Sequence, residues 1–200
     1  MRSSNENLVS AQDDVPTFAA GDILCTGSKT WISRWIRWFT RAGGEQCTYC
    51  SHIGIFFDPL CVCEALTTVK IHSFVQNYGK ADKTKCWLEV WRKKELTDEQ
   101  QDCIQDKCVD YEGRVYGFLK IVPHALDGLL SKVAYRDVYL FRRLCWMDAY
   151  PHCSWLGAHV FHHCVGPNEL GRPNSASPDD IHDSLIFNES YERVWSFGTL

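Results

Sequence analysis

The chain has 200 residues, 45% of them hydrophobic and 13% aromatic, with a formal net charge of −4. That length fits one domain with enough apolar side chains for a core, and the acid excess argues against a nucleic-acid-binding face, which needs clustered basic charge. No apolar run reaches the roughly 18 residues of a membrane-spanning helix, so none is expected.

Met1 to Pro16 is polar and lacks an apolar stretch of signal-peptide length. It reads as a disordered tail ahead of a single domain over residues 17–200. The eleven cysteines are an odd number, so at least one thiol stays free unless a second chain pairs with it. Without a secretion signal, the expectation is a cytoplasmic or otherwise intracellular protein with mostly buried, inert thiols. Cys47-Thr48-Tyr49-Cys50 has the spacing of half a zinc site, but Cys61-Val62-Cys63 is too tight to supply the other half.

Gly21-Asp22-Ile23-Leu24-Cys25 reads as a turn entering a short strand. Ser28 is then placed to cap a helix through Trp31, Ile32, Trp35, Ile36 and Phe39, with Arg34, Arg37 and Arg41 along one edge and Gly43-Gly44 as its stop. Such a helix is either an ordinary amphipathic one or a Trp/Arg surface that lies on lipid or walls a cleft. Strand-like runs follow at Ile53 to Phe57, Cys61 to Leu66, Val69 to Phe74 and Trp87 to Trp91, joined by short connections such as Asp58-Pro59. That pattern predicts an antiparallel meander.

The second half reads as more helical. Thr97 with Gln100 forms a capping box ahead of Cys103, Ile104 and Cys108, and Gly113 to Gly117 reads as a loop. Further helices are predicted over Pro123 to Val133, from Pro151 through Phe161, and after Ser177-Pro178, before a closing strand at Tyr191 to Phe197. Strands followed by helices predict an α+β fold.

Two segments about a hundred residues apart carry the chemistry. Ser51-His52-Ile53-Gly54-Ile55 reads as a strand presenting a histidine, and Pro151-His152-Cys153-Ser154-Trp155 as a helix start carrying a cysteine. The free N–H groups and dipole of a first helical turn favour a thiolate and can hold an oxyanion, while an imidazole can accept and return its proton. Glu64, one short turn after His52, can lie beside it and orient the ring. Each residue also has an ordinary reading: a buried structural cysteine among eleven, a core histidine, a strand acid. His159 and His163 have the i, i+4 spacing of a helical metal pair, but no acidic partner lies within that helix, and no metal or cofactor is expected.

At these residues the chain resembles the circularly permuted branch of the NlpC-type papain-like cysteine peptidases, the YiiX-like group of bacteria and viruses. The resemblance runs in order through Gly21-Asp22-Ile23-Leu24, Ser51-His52-Ile53-Gly54-Ile55, Val62-Cys63-Glu64-Ala65, Gly113-Arg114-Val115-Tyr116-Gly117, Cys153-Ser154-Trp155-Leu156 and Ser177-Pro178-Asp179-Asp180-Ile181. It covers roughly residues 20–197. It implies a papain-like α+β fold with an antiparallel sheet packed against helices, in which the histidine strand precedes the cysteine helix. It further implies Cys153 as nucleophile, His52 as general base and acid, Glu64 as the residue that orients His52, and Tyr116 as support for an oxyanion. The implied activity is that of a hydrolase, an amidase or peptidase working through an acyl-enzyme on a peptide or small amide such as a cell-wall peptide. A virus-encoded origin fits the same group. The related lecithin retinol acyltransferase branch acts on lipids, which makes a lipid-directed acyl hydrolase or transferase the second expectation, with the Trp31–Arg41 helix as its membrane surface. A catalytically idle binding protein on the same scaffold is the third. Relatives usually carry a small or acidic residue after Cys-Ser, where this chain has Trp155.

Overall fold

The computed structural model describes residues 17–40, 49–116, part of 126–141, and 151–198. The expected tail over Met1 to Pro16, Arg41, the Gly43-Gly44 stop, Cys47 and Gly117 lie outside the described residues. So does part of the helix expected over Pro123 to Val133, whose described positions are helical.

Six strands form one sheet. They are β1 (Ile23–Ser28), β2 (His52–Phe56), β3 (Cys61–Ala65), β4 (Val69–Ser73), β5 (Cys86–Lys93) and β6 (Tyr191–Phe197). The order is β4-β3-β2-β1-β5-β6, and every neighbouring pair is antiparallel. The helices are α1 (Trp31–Thr40), α2 (Phe74–Tyr78), α3 (Asp98–Tyr111), α4 (Cys153–Cys164) and α5 (Pro178–Phe187). This is the α+β arrangement of antiparallel sheet against helices that the pattern predicts.

Side chains alternate across the pleat, so each strand serves two faces. Ile23, Cys25, Ile53, Ile55, Cys63, Trp87 and Trp91 belong to a large core with Ile104, Trp155, Phe161 and Ile181 from the helices. Ile53 and Ile55 are almost wholly buried there, and each such side chain contributes about 1.5–3 kcal/mol. The opposite face carries a smaller core of Phe18, Leu24, Phe56, Val62, Phe74 and Val90. Glycine sets one contact between the layers: a Cβ on Gly157 would stand 3.1 Å from Cγ2 of Ile53. That close approach seats α4 directly on β2.

Local chemistry fixes the ends. Thr97 forms the expected capping box, Ser177 caps α5 and adds a box with Asp180, and Pro178 occupies the first turn of α5. Two expectations are corrected. Ser28 does not cap α1; it ends β1, and Thr30 Oγ1 accepts the N–H of Ser33 at 3.4 Å. The run Val69 to Phe74 is not strand throughout, because Ser73 accepts the N–H of Gln76 and turns the chain into α2 at Phe74.

Candidate active site

The site begins with a hairpin. Asp58 Oδ1 accepts the N–H groups of Leu60 and Cys61, each at 2.7 Å, and this side-chain turn folds β3 back onto β2. The resulting register pairs Gly54 with Glu64. His52, Gly54 and Glu64 therefore share the face of the sheet that carries the smaller core. With no side chain on Gly54, Glu64 lies across it and its Oε1 reaches His52 Nε2 at 2.8 Å. Glu64 is 1% exposed and His52 19%.

The thiol arrives from the other element that β2 supports. Pro151 precedes α4, His152 is its N-cap with extended backbone, and Cys153 is its first residue, buried at 5% exposure. The Cys153 thiol hydrogen-bonds to the His52 ring and to the backbone at Ile53 and Ser154. Because Nε2 of His52 is taken by Glu64, Nδ1 is the ring nitrogen left for the thiol. Tyr116 follows an isolated bridge between Thr68 and Val115, and its hydroxyl hydrogen-bonds to Cys153. The structure thus brings Cys153, His52, Glu64 and Tyr116 into one cluster.

Electrostatics within the cluster favour an ion pair. Burial pushes the Cys153 thiol up, but the charge and hydrogen bond of His52, with the backbone hydrogen bonds, outweigh it and leave the thiol below its ordinary range. Burial alone would lower His52; the Cys153 thiolate and Glu64 override it and raise the imidazole well above its usual value. Glu64 is pulled the other way. Burial opposes its charge, yet hydrogen bonds from His52 and His72 hold its carboxyl down at about 2. The Tyr116 hydroxyl is pushed well up by burial and by the neighbouring thiolate, so it stays a neutral donor.

Two members of the cluster were not singled out in the sequence. His72 on β4 places Nε2 2.7 Å from Glu64 Oε2, and the Tyr78 hydroxyl donates to Glu64 Oε1 at 2.7 Å. The only sequence signal for His72 is its position in the alternation of β4, opposite Val62. Tyr78 had none, since it depends on α2, one turn beyond Phe74.

Other sequence features resolve elsewhere. Trp155, the departure next to Cys153-Ser154, is fully buried, stacks on His159 with ring centroids 4.3 Å apart, and donates its indole N–H to Asn174 Oδ1. It belongs to the core beneath α4. His159 also hydrogen-bonds to Tyr111 at 2.9 Å. Among the described residues no three His, Cys, Asp or Glu side chains are grouped to hold a metal ion. Cys25, Cys50, Cys61, Cys63, Cys86, Cys108 and Cys153 are free thiols, whereas Cys103 of α3 and Cys164 of α4 form a disulfide. Among the described residues, the largely reduced set expected from the sequence therefore holds one bond, formed where the two helices pack together.

No helix among the described residues is long and apolar enough to cross a membrane. No family model and no curated protein matches the chain. A solved structure, the metalloprotein yiiX from Escherichia coli O157:H7, is similar to it with a TM-score of 0.62 and 18% identity, over 92% of this chain and 99% of that one. The chain therefore has the fold of yiiX, and at that identity the likeness speaks for the fold alone.

Proposed function

We propose that this chain is a cysteine hydrolase that cleaves an amide through an acyl-enzyme. The observation that carries the reading is the continuous line from Cys153 through His52 to Glu64, assembled by β2, its hairpin partner β3 and the first turn of α4. A buried carboxylate that accepts from one ring nitrogen fixes the tautomer and orientation of the other.

In this reading the Cys153 thiolate attacks the acyl carbon, forming a C–S bond and placing charge on the carbonyl oxygen. N–H groups of the first turn of α4 and the Tyr116 hydroxyl are the donors available to that oxygen. His52, protonated in the resting pair, gives its proton to the departing amine as the C–N bond breaks. It then takes a proton from water, whose oxygen attacks the thioester and releases the acid. Glu64 keeps its charge throughout and stabilises the imidazolium.

The fold relative is a metalloprotein. The residues described in this chain do not fit such a group: the ring nitrogens of His52 and His72 meet the Glu64 oxygens directly, and no three His, Cys, Asp or Glu side chains are grouped to hold an ion. No step is routed through a metal.

A second reading has its own support. Trp31 and Trp38 on α1 are 71% and 49% exposed, and Arg34 is exposed beside them. The same helix is tied to the site, because Ser33 Oγ meets Ser51 Oγ at 2.6 Å, one residue before His52. A lipid surface held there would bring ester substrates to the same thiol. The test offers the protein matched chromogenic amides and acyl esters, with and without anionic liposomes, and follows the mass of the Cys153 peptide. An acyl adduct that requires Cys153 and forms from amides supports the amidase. An adduct formed only from esters with liposomes supports the lipid reading. No adduct from either would leave a binding protein on a hydrolase-like scaffold.

A further inference from the structure

Glu64 faces two histidines. His52 on β2 holds Oε1, which also accepts from Tyr78 on α2. The other oxygen, Oε2, is buried, and His72 Nε2 lies 2.7 Å from it. The contact is an ion pair when the His72 ring is protonated. Asn77 on α2 stands behind the ring with its side-chain amide 2.7 Å from Nδ1; the amide nitrogen donates to the neutral ring, and the amide turned over accepts from the charged one.

We infer that His72 is a positioning residue: it holds the second oxygen of Glu64 and competes with His52 for the charge of that carboxylate. The inference rests on the reading of His52 as the catalytic base.

The argument is one of shared charge. A single carboxylate in a poorly hydrated site can neutralise one imidazolium well, but not two. Proton binding at either ring weakens proton binding at the other, so the two titrate as a coupled pair. Glu64 raises His72, and the neighbouring His52 opposes that rise. Among the described residues, the other titratable groups next to this pair are Tyr78, which stays neutral, Lys70, which pairs with Glu64 in register and is exposed, and the Cys153 thiol beyond His52; Arg92 and Asp22, farther along the same face, are paired with each other.

The consequence concerns both halves of catalysis. A base bonded to an unshared carboxylate would hold its proton tightly and release it poorly to a leaving group. With His72 charged, part of Glu64's pull is withdrawn from His52, and the imidazolium becomes a better acid. As pH rises through the raised value of His72, that ring loses its charge, and the whole carboxylate returns to His52.

The test is an NMR titration of the His52 ring in the Cys153→Ala protein, where no thiolate contributes, with and without His72→Gln. Glutamine keeps a donor near Oε2 but never carries charge. The expected result is an upward move of the His52 midpoint by about one pH unit, with His72→Asn giving the same direction. An unchanged or lowered midpoint in folded variants overturns the proposal, because a merely structural His72 would leave His52 in place or loosen it. Alkylation of Cys153 in the native protein and in His72→Gln is the companion measurement. Its alkaline limb, where His52 loses its proton, should move up by a similar amount. The titration without the thiol decides the role of His72 by itself. Slow alkylation of native Cys153 would count against the hydrolase reading and not against this one.

Discussion

Glu64 lies across Gly54: a Cβ built on the glycine would stand 2.9 Å from Glu64 Cγ and 3.2 Å from its Oε1. The side-chain path from β3 to His52 therefore runs through space that only glycine leaves open. Gly54→Ala should push Glu64 off His52 while the backbone, which is strand here, accepts alanine. The expected outcome is a fall in Cys153 alkylation rate at pH 6 of about tenfold, the size of one lost charge-assisted hydrogen bond. An unchanged rate would mean that Glu64 does not support the base.

Glu64 also makes stability depend on pH with a definite sign. Its folded value is depressed from 4.5 to about 2, so its contribution is present above about 4.5 and is lost as pH falls through about 2. A depression of that size corresponds to on the order of 3 kcal/mol at 1.36 kcal/mol per pH unit. His52 and His72 are raised instead; their contributions are complete below about 6.5 and fade as pH rises through the folded values. Denaturant unfolding from pH 2 to 9 should show a stability maximum between roughly 4.5 and 6.5. Glu64→Gln should flatten both flanks, and flanks of unaltered steepness would place the titrating groups elsewhere.

Tyr116 can be separated from the ion pair by choosing the reaction. Alkylation of a thiolate forms no oxyanion, whereas acyl transfer does. Tyr116→Phe should leave Cys153 alkylation within about threefold of native but slow turnover of an acyl substrate by about a hundredfold, as loss of an oxyanion donor does. Equal slowing of both reactions would assign Tyr116 to the thiol alone.

The Cys103–Cys164 bond closes a loop with a sequence separation of 61 and ties α3 to the far end of the helix that carries Cys153. Constraint of the unfolded chain by a loop of that size is worth up to about 4 kcal/mol. Cys103→Ser with Cys164→Ser should lower Tm by roughly 10 °C in a domain of this size. Because the bond is at the opposite end of α4 from Cys153, alkylation at 25 °C should be little altered. A large loss of reactivity would show that the end of α4 moves when the bond is cut.

The strands were legible because apolar runs and alternation are local properties: Ile53 to Phe57 as a continuous run, Trp87 and Trp91 against Leu88 and Val90 as an alternation; the two faces of β2, with His52 and Gly54 opposite Ile53 and Ile55, came only from the structure. The capped helices were legible for the same reason, through Thr97 with Gln100 and Ser177 before Pro178. Cys153, His52 and Glu64 could be paired from a helix start and a short hairpin. Tyr116 rested on the resemblance, since nothing in a five-residue loop says where its ring goes. His72 and Tyr78 were not found. Their approach to Glu64 depends on the β3–β4 register and on a five-residue helix that begins where the strand pattern still ran. The place of Trp155 was not legible, because which side of a first helical turn meets the core is decided by packing on Tyr111 and His159. The bond between Cys103 and Cys164 likewise follows from how α3 and α4 cross, which no spacing along the chain records.

The central claim is that His52 turns Cys153 into a thiolate. The direct measurement is the rate of Cys153 alkylation against pH, read by peptide mass spectrometry in the native protein and in His52→Ala. The account predicts that Cys153 reacts faster than the other free thiols at pH 6 and that His52→Ala removes this lead, returning it to the behaviour of an ordinary thiol near about 8.5. A Cys153 that is unreactive, or that reacts alike with and without His52, would contradict it.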